Sequence, residues 1–343
     1  MEYIREININ EAIIHILDNN SEEPILNEFS LDLTDEIYGF LYKHIQKLLR
    51  DEELRYAVFK EGRNIVQETS REYLSGHNNL LEVSKELGRQ MFSLIKSKGS
   101  ASSCDLIIVS ISTEYGPMLA ILKMDYVKNY MHNIEFVEEK IGINIIPQIT
   151  GLPASSQKIQ KAAFIKPVPS EEGFDLMVID KKKGSKKEED YGTNYFIDNY
   201  LGCEIVVNER DMTKGFLETA EQWTRENLSD NADKAEKLRR KVKEKLKEED
   251  EIDLKEFTSE VFEDGEESNF LSYVKENGLD ENISVDKEWV EKKLKRVRLK
   301  IDGDIDVYLS EEAYKDFTRF QIKRNGDGTI DMVIKGVRNY IEK

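Results

Sequence analysis

The sequence contains little cysteine and no long apolar run. Cys104 and Cys203 are the only cysteines in 343 residues and form no CxxC pair, which excludes a disulfide-stapled framework and makes a reducing cytoplasm the expected compartment. The longest apolar runs, such as residues 106–109, fall far below the roughly 18 residues that cross a bilayer. The start, MEYIREININ, lacks the basic and apolar segments of a secretory signal. We therefore expect neither export nor a membrane span.

Positive charge is scarce as well. The chain has 68 acidic and 50 basic residues, a formal net charge of -18 and a pI near 4.9. Long-range attraction to nucleic acid is then weak or repulsive, so any such contact has to be local. Hydrophobic residues at 39% and charged residues at 34% are typical of a globular chain. The length predicts two domains.

The pattern over residues 1–208 predicts an α+β domain with an antiparallel meander. Short β-branched blocks between Ile7 and Leu33 predict a hairpin of two strands, and Thr34 begins a helix. A second helix is expected at Leu80–Lys98. The polar segment Lys181–Asn194 predicts a solvated, mobile loop. Further strands are expected at Asp105–Ser112, Met118–Met124, 134–138, 141–149, Ile159–Lys166 and Asp175–Asp180.

Residues 209–343 predict a smaller helical domain that ends in a short antiparallel sheet, so the fold class is α+β. Helices are expected from about Asp211, at 235–246, 253–262, 267–277 and 286–297. The expected strands are Arg298–Ile301, Ile305–Leu309, Thr318–Lys323 and Thr329–Gly336, the last two joined by a turn at Arg324–Gly328.

Two loops resemble a calcium-binding motif and a catalytic motif, but each lacks residues that the motif requires. Asp302, Asp304 and Asp306 have the spacing of a calcium loop, but its glycine and glutamate positions hold Val307 and Ala313. The segment NGDGT at 325–329 resembles an aspartyl-phosphate motif, yet an amide replaces the nucleophilic carboxylate. Both segments are therefore predicted to be turns.

Other signatures are incomplete or absent. Ser155 and Lys158 have S-x-x-K spacing without its accompanying elements. The four histidines include no HExxH pair, and His15, inside IIHIL, predicts a packed strand residue. The glycine-rich cradles GxGxxG and GxxxxGK[ST] are missing too. We therefore expect no catalytic residue, no metal and no cofactor.

The densest basic segment is EKKLKRVRLK at residues 291–300. On the predicted helix 286–297, Glu288 precedes Lys292 by four residues and Glu291 precedes Lys295 likewise, an order that favours helical ion pairs. A second basic cluster lies at the start of the polar loop. The candidate DNA-binding residues are Lys293, Arg296, Arg298, Lys300, Lys181, Lys182 and Lys183. A solvated structural role is the alternative for all of them.

Several segments resemble the 37-kDa nucleoid-associated protein family. They are ININEAIIHIL, DLMVID, YFIDNYLGCEIV, EIDLKEFTSEVF, LKIDGDIDVYL and TIDMVIKG. In the third, Tyr195, Phe196, Tyr200 and Leu201 supply the apolar side of a short helix, and Gly202 is a plausible left-handed stop. The resemblance implies a bacterial protein of the cytoplasm and nucleoid, and it supplies no catalytic residue.

Together these features predict a non-enzymatic nucleoid-associated protein. It would act chiefly through protein partners on DNA, with weak local DNA contacts and no membrane, and a homo-oligomer is left open. The alternative is a metal-dependent hydrolase or nuclease whose acidic site is invisible as a motif. A third interpretation, a structural scaffold or phage-related adaptor, differs from the first only in its partner.

Overall fold

The computed structural model describes residues 2–97, 101–137, 140–154, 156–167, 173–181, 195–262, 265–339 and 341. The chain divides into two compact units, Glu2–Val206 and Val207–Lys343. Ser155, Lys182 and Lys183 lie outside the described residues, as does all of the predicted loop beyond Lys181. Within the described part, no helix is both long and apolar enough to span a bilayer.

The N-terminal unit is built on a seven-stranded antiparallel sheet in the order β1-β3-β4-β7-β8-β2-β9. In chain order its elements are β1 (Ile7–Leu17), α1 (Asp35–Leu49), β2 (Arg55–Phe59), α2 (Ile65–Leu74), α3 (Leu80–Ser97), β3 (Cys104–Thr113), β4 (Gly116–Asp125), β5 (Val127–Val137), β6 (Lys140–Gly151), β7 (Lys161–Ile165), β8 (Leu176–Asp180), a π-helix (Phe196–Leu201) and β9 (Cys203–Val206).

Local sequence explains where these helices begin and end. The Thr34 hydroxyl accepts a hydrogen bond from the Ile37 amide and caps α1, as predicted. Helix α3 buries its apolar stripe against the sheet, in the same core as Leu106 and Ile108. Gly202, with φ at 57°, ends the π-helix in the left-handed region, which confirms the predicted stop.

The predicted hairpin between Ile7 and Leu33 is wrong. Only β1 forms there, and the returning segment makes a single bridge, Ile16 to Ile25. Strand β1 instead pairs with β3 from Ile7↔Thr113 to Leu17↔Cys104. That long-range partner offers a buried β-branched strand, whereas Pro24 removes a ladder donor from the local one.

The strands predicted at 134–138 and 141–149 exist but are longer and leave the meander. They form β5 and β6, which among the described residues pair only with each other as a separate two-stranded sheet. The other strands predicted for this unit, at β3, β4, β7 and β8, do lie together in the main sheet.

The C-terminal unit packs helices around an aromatic core. Trp223, Phe257, Phe262 and Phe270 contact one another with ring centroids 5.1 to 5.9 Å apart. Its elements are α4 (Glu209–Asn227), α5 (Ala232–Glu248), β10 (Glu251–Asp253), α6 (Leu254–Val261), α7 (Glu267–Glu276), β11 (Asn282–Ser284), α8 (Lys287–Lys293), β12 (Arg296–Ile301), β13 (Ile305–Ser310), α9 (Glu311–Lys315), β14 (Phe320–Arg324) and β15 (Ile330–Ile334). The α+β fold class is confirmed.

One boundary in this unit differs from the prediction in a way that matters for the site. The helix predicted at 286–297 ends at Lys293, and Arg296 already opens β12. Strand β12 pairs with β13 through six residue pairs, and this pairing holds Arg296 and Val297 in the strand rather than in an extended helix. The predicted turn between them is confirmed, with Asp302 and Gly303 both at positive φ.

Candidate nucleic-acid interface

Strand β12 gathers three of the predicted DNA-binding residues. Because side chains alternate across a strand, Arg296, Arg298 and Lys300 share one face and are exposed, while Val297 on the other face is buried. Lys293 lies apart from them at the end of α8, with its ammonium 5.8 Å from the centroid of the Trp289 ring. The local arrangement is therefore a cationic strand face rather than the end of a helix.

A cleft of about 700 Å³ runs along this strand within the C-terminal unit. We call it the basic cleft. Helices α4 and α5 and strand β12 contribute most of its lining, and Met332 of β15 also borders it. Its charged residues comprise a single carboxylate, Glu221, and five cations, Arg225, Arg239, Lys243, Arg298 and Lys300. The cleft is thus strongly cationic in a chain that is acidic as a whole.

The carboxylate in the basic cleft, Glu221, forms ion pairs with two arginines. Glu221 lies 2.8 Å from the Arg225 Nε and 2.7 Å from the Arg239 Nε. Burial alone raises the pKa of Glu221, but the hydrogen bonds from Arg239 and Arg225 outweigh it and hold that pKa below its ordinary value. Glu221 therefore orients two guanidinium groups and leaves the other cations uncompensated by any cleft carboxylate.

The remaining cations of the basic cleft differ in their partners. Arg298 lies 3.2 Å from the Asp306 carboxylate, and its guanidinium is 5.1 Å from the centroid of the Tyr308 ring. Lys243 and Lys300 form no ion pair with any described residue. Two ammonium groups and a preorganised guanidinium are consequently available to a ligand.

Lys243 has the most unusual environment of these residues. Burial lowers the pKa of its ammonium, the nearby cations Arg239 and Lys247 lower it further, and Glu221 and Glu236 act in the opposite direction. An anion bound beside Lys243 would restore its pKa, so charge neutralisation is favourable at this position. The ammonium also lies 5.9 Å from the centroid of the Tyr314 ring.

A second cleft of about 740 Å³ adjoins the first and shares Lys243 and Arg298 with it. Its cations are largely neutralised by neighbouring carboxylates. Lys247 pairs with Glu311, and Arg324 pairs with Glu236. The further pairs are Arg240 with Glu236 at 3.9 Å and Lys315 with Glu311 at 2.8 Å. Arg296 lines this cleft and makes no ion pair with a described residue.

The sequence did not single out Lys243, although a signal was present. Helical ion pairs form with an opposite charge three or four residues away, but those positions around Lys243 hold Arg239, Arg240, Leu246 and Lys247. A lysine with cations on both sides of its helical row cannot be locally compensated. Lys243 is therefore the one cation between residues 237 and 247 that has no acidic residue three or four positions away in the sequence.

Lys181 has a different environment from the cleft residues. It belongs to the N-terminal unit, its side chain is 9% exposed, and its ammonium lies 2.6 Å from Asp51 and 3.4 Å from Glu53. Its charge is compensated locally. Lys182 and Lys183 lie outside the described residues.

The histidines and acidic residues form no group of three that could hold a metal ion, within the part of the chain that is described. His15 is fully buried in β1, as predicted, and its Nδ1 accepts a hydrogen bond from the Asn27 amide at 3.0 Å. The aspartates of the apparent calcium loop lie at and beside the β12–β13 turn.

The fold and the cleft together define an acidic, two-unit α+β protein with a local concentration of positive charge in its C-terminal unit. The chain belongs to the nucleoid-associated family described as Nucleoid-associated protein YejK, which matches residues 13–342. No curated protein matches the sequence. The resemblance found from the sequence is confirmed over nearly the whole chain.

Proposed function

We propose that this protein is a non-enzymatic nucleoid component that touches DNA phosphates through the basic cleft and is otherwise held at the nucleoid by proteins bound to DNA. Family membership supports the nucleoid role. The observation that carries the DNA contact is the cleft itself, in which five cations face one carboxylate that is already paired. A net charge of -18 limits this contact to a local anchor.

The chemistry of the basic cleft suits a phosphate backbone. Arg298 offers a planar donor group held by Asp306, while Lys243 and Lys300 offer point charges that have no ion pair among the described residues. Each phosphate neutralised by such a group releases counterions, so the binding is sensitive to salt and independent of sequence. Base-specific readout would require side chains that enter a groove, and the proposal does not include it.

The test compares two triple variants that change net charge equally. K243Q/R298Q/K300Q removes three cations of the basic cleft, whereas K255Q/K275Q/K292Q removes three exposed cations outside it. Binding of a short duplex is followed by fluorescence anisotropy over a range of salt concentrations. The cleft variant should weaken binding and reduce the salt slope by roughly 2 to 3, because each phosphate contact contributes about 0.9. Equal slopes for the two variants would refute the local anchor.

The partner half of the proposal has its own experiment. Tagged protein is recovered from lysate with and without nuclease treatment. Partners that persist after nuclease bind the protein directly, as expected, while a complete loss shows that DNA alone bridged them. DNA cleavage by the purified protein with magnesium, manganese or zinc would overturn the non-enzymatic part.

A further inference from the structure

The hairpin formed by β5 and β6 has two faces of opposite character. Residues that pair directly across antiparallel strands lie on the same face, so the register Ile134↔Ile143 and Asn133↔Asn144 assigns each position to one side. We call one side the apolar face. Its members are Tyr130, His132, Ile134, Phe136, Ile141, Ile143, Ile145 and Pro147.

The opposite face, which we call the polar face, contains the described charged and amide side chains of the hairpin, and Met131 and Ile146, exposed by 49% and 38%, also lie on it. Glu135 accepts hydrogen bonds from the Asn133 amide at 2.8 Å and from the Asn144 amide at 3.2 Å. Lys140 and Gly142 also lie on this side. Every charged residue of the hairpin whose side chain is described is therefore on the polar face, and none is on the apolar face.

The apolar face is exposed along its length. Phe136 and Ile145 are each 75% exposed, and Ile141 and Ile143 are exposed by about two thirds, at 67% and 69%. Monomeric proteins rarely leave a contiguous apolar patch of this kind in water. A two-stranded hairpin is also only marginally stable by itself, so one apolar and one polar face indicate a sheet that is completed by packing.

We propose that the apolar face is a self-association surface that packs against the same face of a second copy of this chain. Two twofold-related hairpins would stack as a small β-sandwich, with the polar faces outward. The eight side chains, at about 60 to 120 Å² each, would bury on the order of 500 to 950 Å² per copy. That range includes the roughly 800 Å² per partner of a standard stable interface.

Charge explains why the partner is a copy of the same chain. The described apolar face has no Lys or Arg, whereas nucleic acid and membrane surfaces are bound with such residues. It has no Asp or Glu either, so no electrostatic feature selects a charged partner. The described part of this face is uncharged and mostly apolar, which makes it complementary to itself, and homodimer interfaces are the most apolar class of protein interface.

The proposed dimerisation and the proposed DNA binding should respond to salt in opposite directions. Each copy has a formal charge of -18, so two copies repel each other at long range, and added salt screens that repulsion. Dimerisation should therefore strengthen with salt, while DNA binding through the basic cleft weakens. The two processes are separable in one titration, and failure of either leaves the other testable.

The first test is sedimentation of the wild type and two lysine variants at matched concentrations. I143K introduces one charge on the apolar face, and N144K introduces the same charge on the polar face one residue away. We expect a dimer for the wild type and N144K, and at least a tenfold weaker dimer for I143K. A wild type that stays monomeric at high salt, or a dimer insensitive to I143K, would overturn the proposal.

A cross-linking test does not depend on weakening the hairpin. The native thiols of Cys104 and Cys203 are buried, and burial raises the pKa of each to about 12, so neither reacts readily. I143C should give a covalent dimer on a denaturing gel after mild oxidation, whereas N144C should not. Equal cross-linking of both variants would contradict face-to-face packing, and cross-linking to another protein instead would assign the surface to that partner.

Discussion

The buried lysines of the N-terminal unit and the half-buried Lys243 of the C-terminal unit have opposite environments, although the buried Lys245 of the C-terminal unit is paired with Glu249 and Glu260. In the N-terminal unit, Lys123, Lys161 and Lys166 are almost inaccessible, and each is paired with a carboxylate, namely Asp125, Asp180 and Glu2. In the C-terminal unit, Lys243 is partly buried and has no ion pair among the described residues. A cation matched to its own carboxylate stabilises a fold, while an unmatched one is available to a ligand.

Removing a paired cation should have the largest effect. The Lys123 side chain is 1% exposed, pairs with Asp125 and contacts the Ser102 carbonyl at 3.4 Å. K123A removes the ammonium that pairs with the partly buried Asp125 carboxylate, which should lower the free energy of unfolding by about 3 to 5 kcal/mol in urea titrations. The double variant K123M/D125N removes both charges and should recover much of that loss. A K123A protein as stable as the wild type would contradict the comparison.

Two buried titratable groups of the N-terminal unit, His15 and Asp105, should make the free energy of unfolding depend on pH. Burial lowers the pKa of His15 to about 4 and raises the pKa of Asp105 to about 6. His15 contributes stability above pH 6.5 that is lost as the pH falls toward 4, because the unfolded state gains the proton first. Asp105 acts oppositely, since its destabilising effect above pH 6 is relieved as the pH falls toward 4.

The two effects oppose each other in the wild type, and substitution should separate them. In D105N the free energy of unfolding should fall by up to about 3 kcal/mol between pH 6.5 and pH 4, as the His15 shift alone dictates. In H15N it should rise over that interval relative to the wild type. Urea titrations at the two pH values measure both slopes, and parallel slopes for the two variants would show that neither group titrates as described.

Substitution of the unmatched cation should have the opposite sign to that of Lys123. K243M removes a partly desolvated charge and breaks no ion pair with a described residue, so we expect unchanged stability or a gain of up to about 1 kcal/mol. The same variant should bind DNA more weakly. In the wild type, DNA affinity should fall as the pH rises, beginning below the range in which an ordinary lysine loses its proton. A clear loss of stability in K243M would mean that Lys243 is structural.

Periodicity predicted the elements whose local signals are strong. Helices α1 and α3 and the turn at Asp302 followed from caps, stripes and glycine positions. It failed where a distant strand competed with a local one. Strand β1 pairs with β3, almost 100 residues away, rather than with the segment that follows β1 in the chain. A single sequence does not show which of two possible partner strands is the more stable one.

The sequence predicted the strand cations of the candidate site but not the helix cations that lie beside them. Arg296, Arg298 and Lys300 stood out because the charge run contains few acids. Arg298 and Lys300 were predicted on a strand, whereas Arg296, predicted on the helix, shares their face because β12 begins at Arg296. Arg225, Arg239 and Lys243 join them only through tertiary packing of α4 and α5. Local charge patterns show which cations are uncompensated, and the fold decides which of them meet.

The smallest effect concerns two pairs that look identical in the sequence. Glu288 and Lys292 lie within α8 and their charged atoms are 2.6 Å apart, whereas Glu291 and Lys295 span the end of α8 at Lys293. A double-mutant cycle on the first pair should give a coupling energy of about 0.2 to 0.5 kcal/mol. The same cycle on the second pair should give none, because helical geometry no longer brings i and i+4 together. Equal coupling energies would mean that α8 extends to Lys295 in solution, and Arg296 would then leave the strand face that borders the basic cleft.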